Sequence, residues 1–220
     1  MIRLGILRPA ADLMAKAALD AMAAYREGRI EDEPQITERF LAAAETRFND
    51  NFSVQDGRSL AWRAKTLRPG SGSAAQEKRH GADLLGVFTA NLEDYKVSKG
   101  FLAQAKKAEP RVPFSNKEWN RLQSQCERML KRTPDAFVIT YSITCGIRFF
   151  SALGVLSYKG RDIYQLYGMS PRKFFERHFQ SFIGDRRLDA PRIEVLDKLL
   201  APSGETQPAR FVLHLSLHEG

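Results

Sequence analysis

Apolar residues recur at helical spacing from about Pro9 to Arg26, in a segment rich in Ala, Leu and Met, and predict a first helix. After the acidic break IEDEPQ, Ile36, Phe40, Leu41, Ala44 and Phe48 mark one buried face, so ITERFLAAAETRFND predicts a second helix with Thr37 as its N-cap. SLAWRAKTL alternates as a strand does and ends at the Gly/Ser/Pro-rich run RPGSGS, which reads as a connector. From Gly81 the period changes: ADLLGVFTANL and GFLAQAKKA predict adjacent antiparallel strands joined by a long polar turn, EDYKVSK. Beyond the breaker EPRVP, Trp119, Leu122, Cys126, Met129 and Leu130 line one face of an amphipathic helix capped by Ser115 or Asn116. AFVITYS and GIRFFSALGVL then predict strands, MSPRKFFERHFQSFIGD a helix with a glycine stop, and ARFVLHLSLH a final strand.

The order helix, strand, strand, strand, helix, strand between residues 37 and 143 predicts an α/β fold, a central mixed sheet flanked by helices. With 220 residues, 43% of them apolar, the chain can bury one sizeable core, so a single domain is expected. Residues 1–30 form an N-terminal helical extension to a core at 37–143, and 144–220 a strand-helix-strand elaboration. The most apolar stretch, Phe137 to Leu156, contains Gly146 and Arg148 and reads as two strands, not as a membrane helix. Cys126 and Cys145 are too few for a disulfide framework and read as inert buried thiols. The first residues lack the order of a secretion signal, which predicts a cytoplasmic protein.

A formal charge of +8 turns the search toward polyanions, nucleic acid first. Phosphodiester hydrolysis needs a divalent cation on hard oxygen ligands and a nearby positive group. A strand holds two side chains on one face when they are two residues apart, as Gln104 and Lys106 are. Asp83 opens the preceding strand, so pairing of the two strands can bring its carboxylate beside them. Taken singly, each residue also fits a plain surface role: Asp83 capping a turn, Lys106 and Lys107 solvated at the end of an edge strand.

GAD at 81–83, a hairpin, then QAK at 104–106 resembles the D…QxK variant of the PD-(D/E)XK, restriction-endonuclease-like nucleases, as found in Mrr-type enzymes. The αβββαβ order resembles the core of that superfamily. The resemblance implies Asp83 as a metal-binding aspartate, Gln104 in place of the usual acidic ligand, and Lys106 as the catalytic lysine. It implies Mg2+ or Mn2+ as cofactor and a metal-dependent endonuclease acting on DNA, expected to be double-stranded, as the effector of a bacterial antiviral defence or restriction system. No membrane partner is expected; a protein partner within a defence complex and an oligomer fit the same picture.

Neutral Gln104 supplies less charge than a carboxylate, so another acid must compensate. Glu38 on the second helix is the preferred candidate, with Glu45 on the same side and Glu77, six residues before Asp83, as weaker ones. For either helix glutamate a solvated surface position is the common reading. Gln125 on the following helix is a further polar residue able to approach, and His80 a contact for phosphate or metal. RKFFERHFQSF either lines a nucleic-acid groove or packs its Phe residues inward. The rival functions are a nuclease-fold subunit that binds nucleic acid or a partner without cutting, and a nuclease acting on RNA.

Overall fold

Helix α1 spans Leu4–Arg26, with Ala10, Met14, Ala17 and Ala21 buried along one stripe. Helix α2 spans Glu33–Asn49, and its cap lies five residues before the predicted one. Its N-cap is Asp32, which accepts from the Gln35 N–H while the Gln35 side chain accepts from the Asp32 N–H. This reciprocal pair outcompetes Thr37, which lies inside the helix, buried, with its hydroxyl on the Glu33 carbonyl. The computed structural model from which these observations come describes residues 4–50, 52–55, 58–67, 82–93, 95–188 and 209–219.

Strands β1 (Phe52–Gln55), β2 (Arg58–Leu67), β3 (Leu84–Leu92) and β4 (Tyr95–Lys107) precede helix α3 (Asn116–Leu130). Ser115 caps α3 and Glu118 completes a capping box. β5 (Ala136–Ser142), β6 (Gly146–Ser151), helix α4 (Ala152–Ser157), β7 (Gly168–Met169), helix α5 (Pro171–Phe179) and β8 (Phe211–Glu219) follow. They form one eight-stranded mixed sheet in the order β1-β2-β8-β3-β4-β5-β6-β7. β8 runs parallel to β3, β5 runs parallel to β4, and the other neighbours are antiparallel. The molecule is thus α/β, an open mixed sheet with helices on both faces.

Two expectations about the strands are corrected. The turn between β3 and β4 is tight, because β4 begins at Tyr95 and Leu92 pairs directly with it. EDYKVSK looked like a turn because of its charges, but Lys99 points into the fold and is 1% exposed. The predicted strand GIRFFSALGVL ends at Ser151, and Ala152–Ser157 is helical. The final strand, expected only as part of a C-terminal elaboration, lies inside the sheet, between β2 and β3.

Side chains alternate between the two faces of the sheet. Phe101, Ala103 and Ala105 pack under α1, α2 and α5, with Phe174, Phe175 and Phe179 of α5 turned inward. RKFFERHFQSF is therefore a packing helix. Leu102 and Val138 face the other layer, with Trp119, Leu122, Cys126 and Met129 of α3. Gly86 is required on β3, since a Cβ there would lie 2.3 Å from the Phe101 ring. Among the described residues no helix is long and apolar enough to cross a membrane.

Candidate functional site

β3 and β8 begin at the level where β4 and β5 still run on. Leu84 pairs with Ala103 and with Phe211, whereas β4 continues to Lys107 beside Tyr141 of β5. The last residues of β4 therefore lose a strand neighbour on one side, and a notch opens at this end of the sheet. Asp83 fills the first place in it. Its N–H donates to the Ala103 carbonyl at 2.9 Å, its carbonyl accepts from the Phe211 N–H at 2.7 Å, and its Oδ2 accepts from the Ala105 N–H at 2.9 Å. The carboxylate thereby takes over a main-chain donor that β3 no longer reaches.

Gln104 lies opposite Asp83, and its Nε2 donates to Asp83 Oδ2. Gln104 is fully buried and Asp83 nearly so. Lys106, two residues on, lies on the same face of β4, its side chain 15% exposed and its Nζ 3.6 Å from Glu33 Oε2. The three residues, drawn from sequence positions 21 and 2 residues apart, meet at one end of one sheet. β4 is an interior strand, so the edge-strand reading of Lys106 and Lys107 does not hold.

A cavity of about 100 Å³ opens here, with Asp83, Ala105 and Lys106 on its floor. Glu33 and Thr37 of α2 form one wall; Arg121 of α3 and Arg210, just ahead of β8, contribute the others. Glu33 is held by the Lys107 N–H, which donates to its Oε1 at 2.8 Å. The first turn of α2 is fixed through Thr37, whose hydroxyl meets the buried Tyr141 hydroxyl at 2.6 Å. Burial pushes the Tyr141 phenol above its ordinary range, so it stays neutral as a hydrogen-bonding strut.

The other expected residues are distributed differently. Glu38 and Glu45 are half-buried on α2, and neither lines the cavity; Glu33 is the α2 glutamate that does. The five-residue error in the helix cap hid it, and the Asp32-x-x-Gln35 pattern was the signal that could have revealed it. Gln125 is buried on the inner face of α3, and its Oε1 and Gln104 Oε1 have no hydrogen-bond partner. Glu77, His80 and the RPGSGS run lie outside the described residues. Cys126 is buried, its thiol pushed up to about 12 by burial despite the Lys106 charge, but Cys145 is exposed, unlike the buried thiol expected. At the neighbouring β5–β6 turn burial opposes ionisation of Glu109. Hydrogen bonds from Ser142, Thr144 and the Ile143 N–H outweigh it and hold the carboxyl below its ordinary range.

Among the described residues no group of three or more His, Cys, Asp or Glu is placed to hold a metal ion. The oxygens near the cavity are of another kind: the Asp83 and Glu33 carboxylates in its lining and, behind the lining, the buried Gln104 amide oxygen without a partner. Oxygen donors of this type suit a hard divalent cation, and a buried amide oxygen left without a donor fits such a role. No protein-family model matches this sequence, and no curated protein is significantly similar to it.

Proposed function

We propose that this protein is a divalent-cation-dependent nuclease with a restriction-endonuclease-like core, cutting phosphodiester bonds of DNA. The observation that carries the reading is the meeting of Asp83, Gln104 and Lys106 on one face at the open end of β3 and β4. The run α2, β1, β2, β3, β4, α3, β5, with β3 and β4 antiparallel and β5 parallel to β4, supports the core, and the +8 charge supports a polyanionic substrate.

Asp83 and Gln104 would hold Mg2+ or Mn2+, with Glu33 rather than Glu38 as the compensating carboxylate. The cation would supply Lewis acidity, polarising a phosphoryl oxygen and making a nearby water more acidic. Lys106 stabilises the negative charge that builds on the phosphoryl group and orients the attacking oxygen. Tyr141 and Thr37 keep the first turn of α2, and with it Glu33, against the end of β4. Within a defence or restriction system, recognition or activation would reside in a partner.

One observation favours a second reading, a subunit with this fold that binds nucleic acid without cutting it. The Asp83 carboxylate already accepts two N–H donors, a stable structural arrangement without any cation. Calorimetric titration with Mn2+ separates the two. Binding to the wild type that is lost in Asp83→Ala supports the nuclease; absent binding with retained, salt-sensitive DNA affinity supports the subunit. Parallel digestion of DNA and RNA then assigns the substrate, and cleavage of RNA alone overturns the DNA assignment.

A further inference from the structure

We infer that Arg121 and Arg210 form a clamp for one backbone phosphate of the nucleic acid, and that the clamp works before any divalent cation is bound. The inference rests on the nuclease reading for its substrate class. Its physical basis is the cavity itself, whose described lining carries three cations, Lys106, Arg121 and Arg210, against two carboxylates, Asp83 and Glu33. Each carboxylate has partners at hand. Asp83 accepts from the Gln104 amide and the Ala105 N–H, and Glu33 accepts from the Lys107 N–H and faces Lys106. The lining as a whole therefore carries an excess of positive charge and attracts an anion.

The two arginines come from elements far apart in sequence, the exposed side of α3 and the lead into β8. Arg210 lines the cavity with its guanidinium 5.6 Å from the centre of the Phe211 ring, which lines it too. A cavity of about 100 Å³ has room for a phosphate group. Guanidinium groups bind phosphate oxygens through paired N–H donors, which a lysine cannot reproduce. Arg121 and Arg210 thus hold the strand while Lys106 is left to the reacting oxygens. Neither arginine stood out in the sequence, because one looks like an exposed helix residue and the other like an ordinary residue near the start of a strand.

The test measures anisotropy of a short fluorescein-labelled DNA duplex in EDTA, across a salt series, with inorganic phosphate as competitor. Arg121→Ala and Arg210→Ala should each weaken binding about tenfold and reduce the log–log salt slope by about one. Arg121→Lys and Arg210→Lys should recover only part of the loss, and Arg172→Ala on the far helix α5 should behave as the wild type. Thermal melting of each variant establishes that it is folded. Wild-type affinity and slope in both alanine variants overturns the clamp, as does a wild type that binds duplex only when Mg2+ is present. Cleavage in Mg2+ is scored separately. Variants that lose affinity in a protein that never cuts leave the clamp standing and remove the nuclease, whereas a cutting wild type with unaffected variants does the reverse.

Discussion

Lys99 and Lys106 of strand β4 are seven residues apart, which places them on opposite faces of the sheet, and their surroundings differ in kind. Lys99 faces the α1 and α5 layer, is 1% exposed, and donates to the His178 carbonyl, to Ser181 Oγ at 3.1 Å and to the Ile183 carbonyl at 3.0 Å. All three acceptors are neutral oxygens in the last turn of α5 or just after it, so the ammonium fastens the helix C-terminus to the sheet. Lys106 faces α3 at the edge of an open cavity, and its ion-pair partner is a carboxylate 3.6 Å away that is itself partly exposed. A contact of that length and exposure can yield to a phosphate, whereas the Lys99 cage cannot. Two lysines on one strand thus separate structure from chemistry, and substitutions should separate them too.

The largest contrast is expected between their alanine variants. Lys106→Ala should slow cleavage roughly 10²–10³-fold, the usual loss of one donor to a developing charge, while stability moves by less than about 1 kcal/mol. Lys99→Ala should behave in the opposite sense. It removes a buried side chain and one donor from each of the His178 and Ile183 carbonyls, at a cost of about 2–5 kcal/mol in denaturant unfolding, with cleavage by the folded fraction retained. Equal loss of both properties in both variants would erase the distinction.

A smaller effect is expected where the site is braced. Thr37→Val keeps the shape but leaves the Tyr141 hydroxyl buried without its partner, costing about 1–3 kcal/mol. It should also raise the metal concentration needed for half-maximal cleavage, because Glu33 rides on the same turn.

The pH dependence of stability sharpens the Lys99 side. Burial brings the Lys99 ammonium from 10.5 to about 7, although Asp135 opposes this. Between those values the unfolded chain holds the extra proton, so stability rises with pH from about 7 toward 10.5. His178, pushed from 6.5 to about 3 by burial and by the Lys99 charge, makes stability fall as pH drops from 6.5 toward 3. Melting temperatures across this range should climb past neutrality in the wild type, and Lys99→Met should flatten the climb above pH 7. Smallest of all, Glu33→Gln removes a partly exposed ion pair worth at most about 1 kcal/mol of stability.

The same contrast shows what sequence can disclose. The spacing of Gln104 and Lys106 on a strand, and of Asp83 at the head of its neighbour, was legible because strand period and hairpin pairing are local. The α3 boundary was legible for a similar reason, since Ser115 and Glu118 lie within one turn. Lys99 was not: a charged residue between polar neighbours reads as turn, and only the carbonyls brought by α5 make its burial tolerable. The insertion of β8 between β2 and β3 leaves no local trace either, because partners more than a hundred residues apart are chosen by tertiary packing. That insertion brings Arg210 to the cavity, and the shifted start of α2 brings Glu33 there.

Asp83→Asn offers the most direct test of the central claim, measured as cleavage of supercoiled plasmid in Mg2+ or Mn2+ beside the wild type. The amide keeps an oxygen for the Ala105 N–H, so the fold and the melting temperature should be preserved while the charge is removed. The account predicts metal-dependent cutting by the wild type and none by the folded variant. A variant that cuts at the wild-type rate, or a wild type that leaves plasmid intact in both metals, would contradict it.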